Sequence, residues 1–165
     1  MGDQRRTFVF SDFLADLFCP EKYPKIADVG GGNASGTMAL IRKGYAATLF
    51  EERQLNRRGR RRLSRGVKFT QCDIVEAHFT IGEYDLVIGM HPDGATWHIM
   101  RLAQEAHCPF VIVPCCKIPP NHLKVPRDLA WSQWLVCEAR RMCFSVNSYL
   151  LPIHGKNLAI VGCLQ

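Results

Sequence analysis

The stretch Ile26-Ala27-Asp28-Val29-Gly30-Gly31-Gly32-Asn33-Ala34-Ser35-Gly36, with Glu51 closing the next apolar segment, decides the fold. An apolar run leads to an acid, turns through three glycines and re-enters regular structure at Ser35. This is the pattern of a strand that delivers its backbone to a ligand. Glycine permits positive φ and lets the main chain approach a flat or anionic group with no Cβ in the way. Residues 35–43 then read as a helix ending at Gly44, a natural C′ residue. Residues 45–50 read as a second strand with Glu51 at its carboxyl end. In a βαβ unit an acid at that point can take two ribose hydroxyls in a bidentate grip.

On the N-terminal side, the run from Phe8 to Phe18 predicts a short helix capped at Ser11 and stopped by Pro20, so that residues 1–24 form a helical cap. Beyond Glu51, an arginine-laden helical stretch (54–65) leads to a third strand (67–71) ending in Cys72-Asp73. A fourth strand (83–89) precedes Met90-His91-Pro92-Asp93-Gly94 and a helix over 96–107. A fifth strand (109–113) ends in Pro114-Cys115-Cys116, and a helix follows over 127–141. Two last strands, near 143–150 and 156–164, are separated by a turn around His154-Gly155 and should pair antiparallel. The alternation predicts one α/β domain over 1–165. Its expected form is a three-layer sandwich around a seven-stranded, mostly parallel sheet with an antiparallel C-terminal hairpin.

At 165 residues, 47% hydrophobic and 22% charged, the chain is long and apolar enough for one real core, which excludes a disordered class. Met1-Gly2-Asp3-Gln4-Arg5-Arg6 has no apolar region behind it, so no secretory signal is expected. No apolar run approaches the roughly 20 residues of a spanning helix, so no membrane association is expected. The expectation is a soluble cytoplasmic protein. Of its eight cysteines, Cys72, Cys108, Cys137, Cys143 and Cys163 lie in or beside apolar segments, where a reduced thiol packs as a small hydrophobe. With no CxxC pair and no Cys/His quartet of zinc spacing, free thiols and no metal are expected. A net charge of +6 leans toward a polyanionic partner.

These features together resemble the class I S-adenosylmethionine-dependent methyltransferases, a Rossmann-like family, over nearly the whole chain. Its acid-x-Gly-x-Gly-x-Gly loop is matched by Asp28, Gly30 and Gly32, with Ala34 in place of the third glycine. The resemblance implies S-adenosylmethionine as cofactor, bound by Asp28, Gly30, Gly31, Gly32, Glu51, Asp73 and His91. Glu51 would hold the ribose, and Asp73 would accept from the adenine amino group with Cys72 beside the ring. A narrower similarity, to a methyltransferase-like family with His-x-Cys-Gly-x-x-Thr and Pro-Cys-Cys motifs, lies in His91-Pro92-Asp93-Gly94-Ala95-Thr96 and Pro114-Cys115-Cys116. Asp93 stands where that family has Cys, and Lys117-Ile118 replaces its usual aromatic-His pair. Some of its members are linked to tRNA modification, which makes RNA the leading acceptor.

Each residue also has a plainer reading. Asp28 could simply cap the glycine loop by accepting backbone N–H bonds. Glu52 rivals Glu51, but adjacent strand residues face opposite ways, so only one can reach the site. His91 and Asp93 are the candidate catalytic pair, available as a general base for a hydroxyl or amine acceptor; His-Pro-Asp-Gly could equally be only a turn. Cys115 and Cys116 fit packing or pocket lining better than nucleophilic or metal chemistry. The cluster Arg57-Arg58-Gly59-Arg60-Arg61-Arg62 with Arg65 could neutralise phosphates or could be a solvated helix face. Three hypotheses stand: a methyltransferase, a catalytically silent cofactor-binding subunit, and an NAD enzyme, the last disfavoured by the antiparallel hairpin.

Overall fold

Strand β1 (Lys25–Val29) runs through the middle of a seven-stranded sheet, and only its first residue is exposed. The structure, a computed structural model, describes residues 5–164. The export-signal reading of Met1-Gly2-Asp3-Gln4 lies outside the described residues. On one side of β1 stand β2 (Ala46–Glu51) and β3 (Lys68–Gln71). On the other stand β4 (Leu86–Met90), β5 (Phe110–Val113), β7 (Leu158–Leu164) and, at the edge, β6 (Phe144–Leu150). Strands β1 to β5 pair parallel, while β7 runs antiparallel to both β5 and β6. The chain winds outward from β1 to β3 and then crosses back to β4, so β1 and β4 are neighbours at the point where winding reverses. Open α/β sheets bind ligands in the crevice at the carboxyl ends of those strands.

Among the described residues five α-helices cover the sheet: α1 (Arg6–Leu17), α2 (Ser35–Arg42), α3 (Arg57–Leu63), α4 (Thr96–Ala106) and α5 (Trp131–Arg141). The strand period of two divides the core. Ile26, Leu86, Ile88 and Val111 pack with Phe10, Leu14 and Leu40 of α1 and α2 on one face. Ala27, Val87, Phe110 and Ile112 pack with Ile99, Leu102 and Leu135 of α4 and α5 on the other. Being covered on both faces, the central strands read as continuous apolar runs such as Phe110-Val111-Ile112-Val113, all buried. The N-terminal cap is therefore part of the core. Phe10, Leu14 and Phe18 are 4%, 0% and 4% exposed.

Local readings differ at several points. Ser11 is not a helix cap: α1 begins at Arg6, and the buried Ser11 hydroxyl donates to the Phe8 carbonyl (2.9 Å) inside the helix. That back-bond satisfies a serine that cannot reach water. Helix α5 starts four residues later than expected because Ala130 is extended (φ −62°, ψ 143°) after Pro126. Strand β4 starts at Leu86, since Asp85 is spent accepting from the Lys25 backbone N–H (2.8 Å). All eight cysteines are free thiols, but Cys137, Cys143 and Cys163 are exposed and only Cys108 is buried. Lying beside an apolar segment put those three on its outward face. Among the described residues no helix is long and apolar enough to cross a membrane.

The closing hairpin is locked by one glycine. Gly162 of β7 pairs with Phe110 of β5, and a Cβ there would lie 2.1 Å from the Phe110 ring. That ring is fully buried and meets Phe144 edge-on at 4.9 Å, so it has nowhere to move. Gly162→Ala should cost about 1–3 kcal/mol of stability by overpacking, read as a lower urea midpoint; an unchanged midpoint would show that the ring does not cover this strand.

Candidate functional site

The glycine loop is built on backbone that only its sequence allows. Gly30 and Gly32 have φ of +70° and +57°, and Ala34, where the family pattern has its third glycine, also takes a left-handed φ of +63°. Each glycine has a different neighbour. A Cβ on Gly31 would lie 2.6 Å from Asp28 Oδ2 and 2.7 Å from Leu49, so the loop is pressed onto the carboxylate. A Cβ on Gly30 would meet Pro92 at 3.0 Å, which ties this loop to the one after β4. A Cβ on Gly32 would meet nothing within 4 Å: it faces open space.

That space is a cavity of about 400 Å³. It is lined by Asp28, Gly30, Gly31, Gly32, Glu51 and His91, six of the seven residues expected to bind the cofactor. Arg6, Thr7 and Phe10 of α1 close one side, and Arg53 with Asn56 another. The seventh residue, Asp73, lines a separate shallow hollow with Glu52, Gln71 and Cys72. The two adjoin, because the Cys72 backbone N–H donates to the Glu51 carbonyl (3.3 Å). Asp73 also accepts from the Val75 N–H at 2.8 Å, which holds its own turn.

Glu51 and Glu52 part company as strand geometry requires. Glu51 Oε2 accepts from the Gly32 N–H (3.0 Å) and Oε1 from the Arg53 N–H (3.2 Å), so the carboxylate sits over the glycine loop. Glu52 turns toward the other hollow and accepts from Ile74 N (3.4 Å). Asp28 is 3% exposed and accepts a 2.7 Å bond from the Thr37 hydroxyl. Burial pushes its carboxyl up to about 6, against the lowering pull of that bond and with a further push from Glu51. A protonation-poised acid beneath the loop is more than a loop cap needs.

The loop after β4 carries two strained residues, His91 (φ +55°) and Asp93 (φ +48°). Such backbone in non-glycine residues concentrates at functional sites. His91 Nε2 lies 2.8 Å from the Lys156 carbonyl, so it must carry the proton, leaving Nδ1 as the acceptor nitrogen. Asp93 lies outside the cavity lining and divides its oxygens: Oδ2 meets Arg53 Nη2 (3.4 Å), and Oδ1 accepts from the Cys115 thiol (3.4 Å) and the Cys116 thiol (3.8 Å). Burial and the neighbouring Cys116 push the Cys115 thiol up to about 11, which removes it as a free nucleophile. The structure thus joins the two motif loops, after β4 and β5, that the sequence singled out.

Thr37 and Arg53 were not foreseen. A threonine in the first turn of the helix after an acid-glycine loop is the one sequence signal for Thr37. Arg53 has none, because its reach from the end of β2 to the loop after β4 depends on the strand order. The arginine stretch also divides. Asn56 caps α3 by accepting from Gly59 N–H (3.0 Å), Arg60 donates to the Leu55 carbonyl and Arg62 to the Asn33 carbonyl (both 2.7 Å). Arg57, Arg58, Arg61 and Arg65 remain exposed.

Comparison with known proteins agrees with this architecture. No protein-family model matches the chain. The sequence is 34% identical over 100 residues to a Caenorhabditis elegans protein named "Probable tRNA (uracil-O(2)-)-methyltransferase". That match takes in 53% of this chain but only 18% of the worm protein, so the chain corresponds to a small part of that relative. Among solved structures, the PH0226 protein of Pyrococcus horikoshii aligns over 98% of this chain and 91% of its own, with TM-score 0.71 and 14% identity. The glycopeptide N-methyltransferase MtfA, solved with S-adenosylmethionine, aligns over 95% and 93% with TM-score 0.69 and 12% identity. The methyltransferase SibL in its apo form aligns over 96% of this chain and 55% of its own, with TM-score 0.66 and 17% identity. The chain has the fold of the class I S-adenosylmethionine-dependent methyltransferases, antiparallel closing strands included.

Proposed function

We propose that this chain is an S-adenosylmethionine-dependent methyltransferase of the cytoplasm that acts on RNA. The observation that carries the reading is the Glu51 carboxylate held over the Gly30–Gly32 backbone at the strand-order switch, in a cavity with a buried acid beneath it. The donor set fits the cofactor. Glycine backbone leaves room at Gly32, Glu51 offers two oxygens for vicinal hydroxyls, and Asp28 supplies negative potential toward a cation. When bound, S-adenosylmethionine supplies an electrophilic methyl on a good leaving group.

In this reading Glu51 takes the ribose hydroxyls, Gly30, Gly31 and Gly32 lie along the methionine portion, and Asp73 with Cys72 meets the adenine in the adjoining hollow. The acceptor comes to the loops after β4 and β5, beside His91 and Asp93. His91 Nδ1 is the nitrogen able to take a proton from an acceptor hydroxyl, its Nε2–H being committed to Lys156. Asp93 holds the two loops and Arg53 in register. Orientation and exclusion of water by these loops supply most of the acceleration.

Two features favour RNA. One is the name of the worm relative. The other is the exposed set Arg57, Arg58 and Arg61 on α3 with Arg65 just beyond its end, on a helix whose Arg62 is anchored to the glycine loop, which suits a phosphate backbone passing the cavity. Eight free thiols suit a reducing compartment. The test is incorporation of labelled methyl into RNA, protein and small-molecule pools, with calorimetric titration of S-adenosylhomocysteine alongside. Label in RNA is the expected result. Label confined to another pool would overturn the acceptor; no label and no binding would overturn the function.

A further inference from the structure

We propose that Asp93, Cys115 and Cys116 form a three-ligand site for a thiophilic divalent metal, zinc being the best match, with its fourth position open to a water or hydroxyl oxygen. Asp93 Oδ1 lies 3.4 Å from Cys115 Sγ and 3.8 Å from Cys116 Sγ, and all three donor atoms fall within 4.8 Å of one another. In a tetrahedral zinc site, with Zn–S of about 2.3 Å and Zn–O of about 2.0–2.2 Å, adjacent donors stand about 3.5–3.8 Å apart. The two oxygen–sulfur edges already have about that length, and the sulfur–sulfur edge is no longer than 4.8 Å.

The sequence argued against a metal because it shows no zinc spacing and because Cys115 and Cys116 fit packing or pocket lining better. The structure meets both objections. Leaving β5 after the buried Pro114, the chain turns so that both thiols face the same carboxylate oxygen. The third ligand comes from a neighbouring strand end, which no linear spacing can reveal. Its position is fixed from several sides. The His91 N–H donates to the Val113 carbonyl (3.0 Å), Pro92 is buried against Gly30 and Gly89, and the fully buried Thr96 donates to the Asp93 carbonyl (3.1 Å). The donors thus sit in short loops two to three residues past the ends of two central strands, with the Asp93 loop pinned to both.

Charge balance agrees. On binding the ion the two thiols release their protons to solvent, and the resulting two thiolates with the carboxylate carry three negative charges, which a divalent ion and the Arg53 guanidinium on Asp93 Oδ2 neutralise together. Arg53 occupies the oxygen that faces away from the sulfurs and so leaves Oδ1 free to coordinate. Three protein ligands and one open position is the arrangement of catalytic rather than structural zinc. An acceptor hydroxyl bound at the open position would give up its proton more readily, the proton passing to solvent and the oxygen pair remaining on the metal for attack. That role rests on the methyl-transfer reading; the site itself does not.

The experiment titrates the purified, reduced chain with zinc alone against a chromophoric chelator, and with cobalt(II) to read geometry. The expected result is one tight equivalent of zinc and an intense tetrahedral cobalt spectrum with thiolate charge-transfer bands. Cys115→Ser, Cys116→Ser and Asp93→Asn should each weaken zinc at least tenfold, while Cys163→Ser, on β7 beside the start of β5 and so at the opposite end of the sheet from these loops, should not. S-adenosylhomocysteine affinity, measured in the same variants, reports whether each remains folded and tests the methyl-donor reading separately. A wild-type chain that binds less than half an equivalent, gives a weak octahedral cobalt spectrum, or binds zinc equally well in all three variants would overturn the site. The cobalt spectrum of the wild type decides the matter even if a variant fails to fold.

Discussion

A folded Glu51→Ala protein should bind S-adenosylhomocysteine at least ten times more weakly than the wild type. A charge-assisted hydrogen bond is worth about 1.5–3 kcal/mol, and the side chain has two oxygens for two ribose hydroxyls. The full sum is not expected. In the structure those oxygens already accept from Gly32 N–H (3.0 Å) and Arg53 N–H (3.2 Å), so binding exchanges bonds as well as adding them. A tenfold loss corresponds to about 1.4 kcal/mol. Removing the carboxylate also frees Gly32, whose φ of +57° is held in part by that bond, so the loop should become less ordered. Glu51→Gln keeps the shape but not the charge and should fall between the two. Calorimetry provides the dissociation constants, and an unchanged value in Glu51→Ala would remove Glu51 from the cofactor site.

How much of this was legible in the sequence follows from the range of the forces involved. Strands buried on both faces announce themselves as apolar runs, so β1, β2, β4 and β5 and their order of appearance could be read directly. The antiparallel hairpin was legible because only a short connection separates its strands. Ser11 misled because serine before an apolar run is a cap signal, whereas here tertiary packing extends the helix five residues upstream and buries the hydroxyl. Cys137, Cys143 and Cys163 misled because a neighbourhood of apolar residues does not say which face a side chain takes.

The candidate site divides along the same line. Asp28, the glycines and Glu51 lie within one βαβ unit, where local chain geometry brings them together, and the cavity unites them. Contacts between separate strand ends are different. Arg53 with Asp93, and Asp93 with Cys115 and Cys116, join residues 22 to 40 positions apart that meet only once β4 is seated beside β1 and β5 beside β4. The sequence named both loops but could not show that they touch.

Asp28→Asn should make the unliganded chain more stable at pH 7, and the gain should vanish at pH 4. The carboxyl is raised from 3.8 to about 6 by its burial. An acid whose folded pKa is raised binds its proton more tightly when folded, so stability is greatest at low pH and is lost as pH rises from about 4 to about 6. A pKa rise of that size corresponds to roughly 3 kcal/mol, an upper bound on the gain because Asn must still accommodate its amide hydrogens in the place of Oδ1. Its carbonyl can keep the Thr37 bond (2.7 Å) that Asp28 Oδ2 accepts. Urea unfolding of both proteins across pH 4–7 isolates this group, since other titrations cancel in the difference. A cationic ligand reverses the sign. A sulfonium near the loop favours the carboxylate, so S-adenosylmethionine binding near pH 6 should release a proton in the wild type and not in Asp28→Asn, read as a buffer-dependent binding enthalpy. Parallel stability curves for the two proteins would mean that Asp28 is ionised at no cost, and a buffer-independent enthalpy in the wild type would mean that the acid beneath the glycine loop does not sense the cofactor's charge.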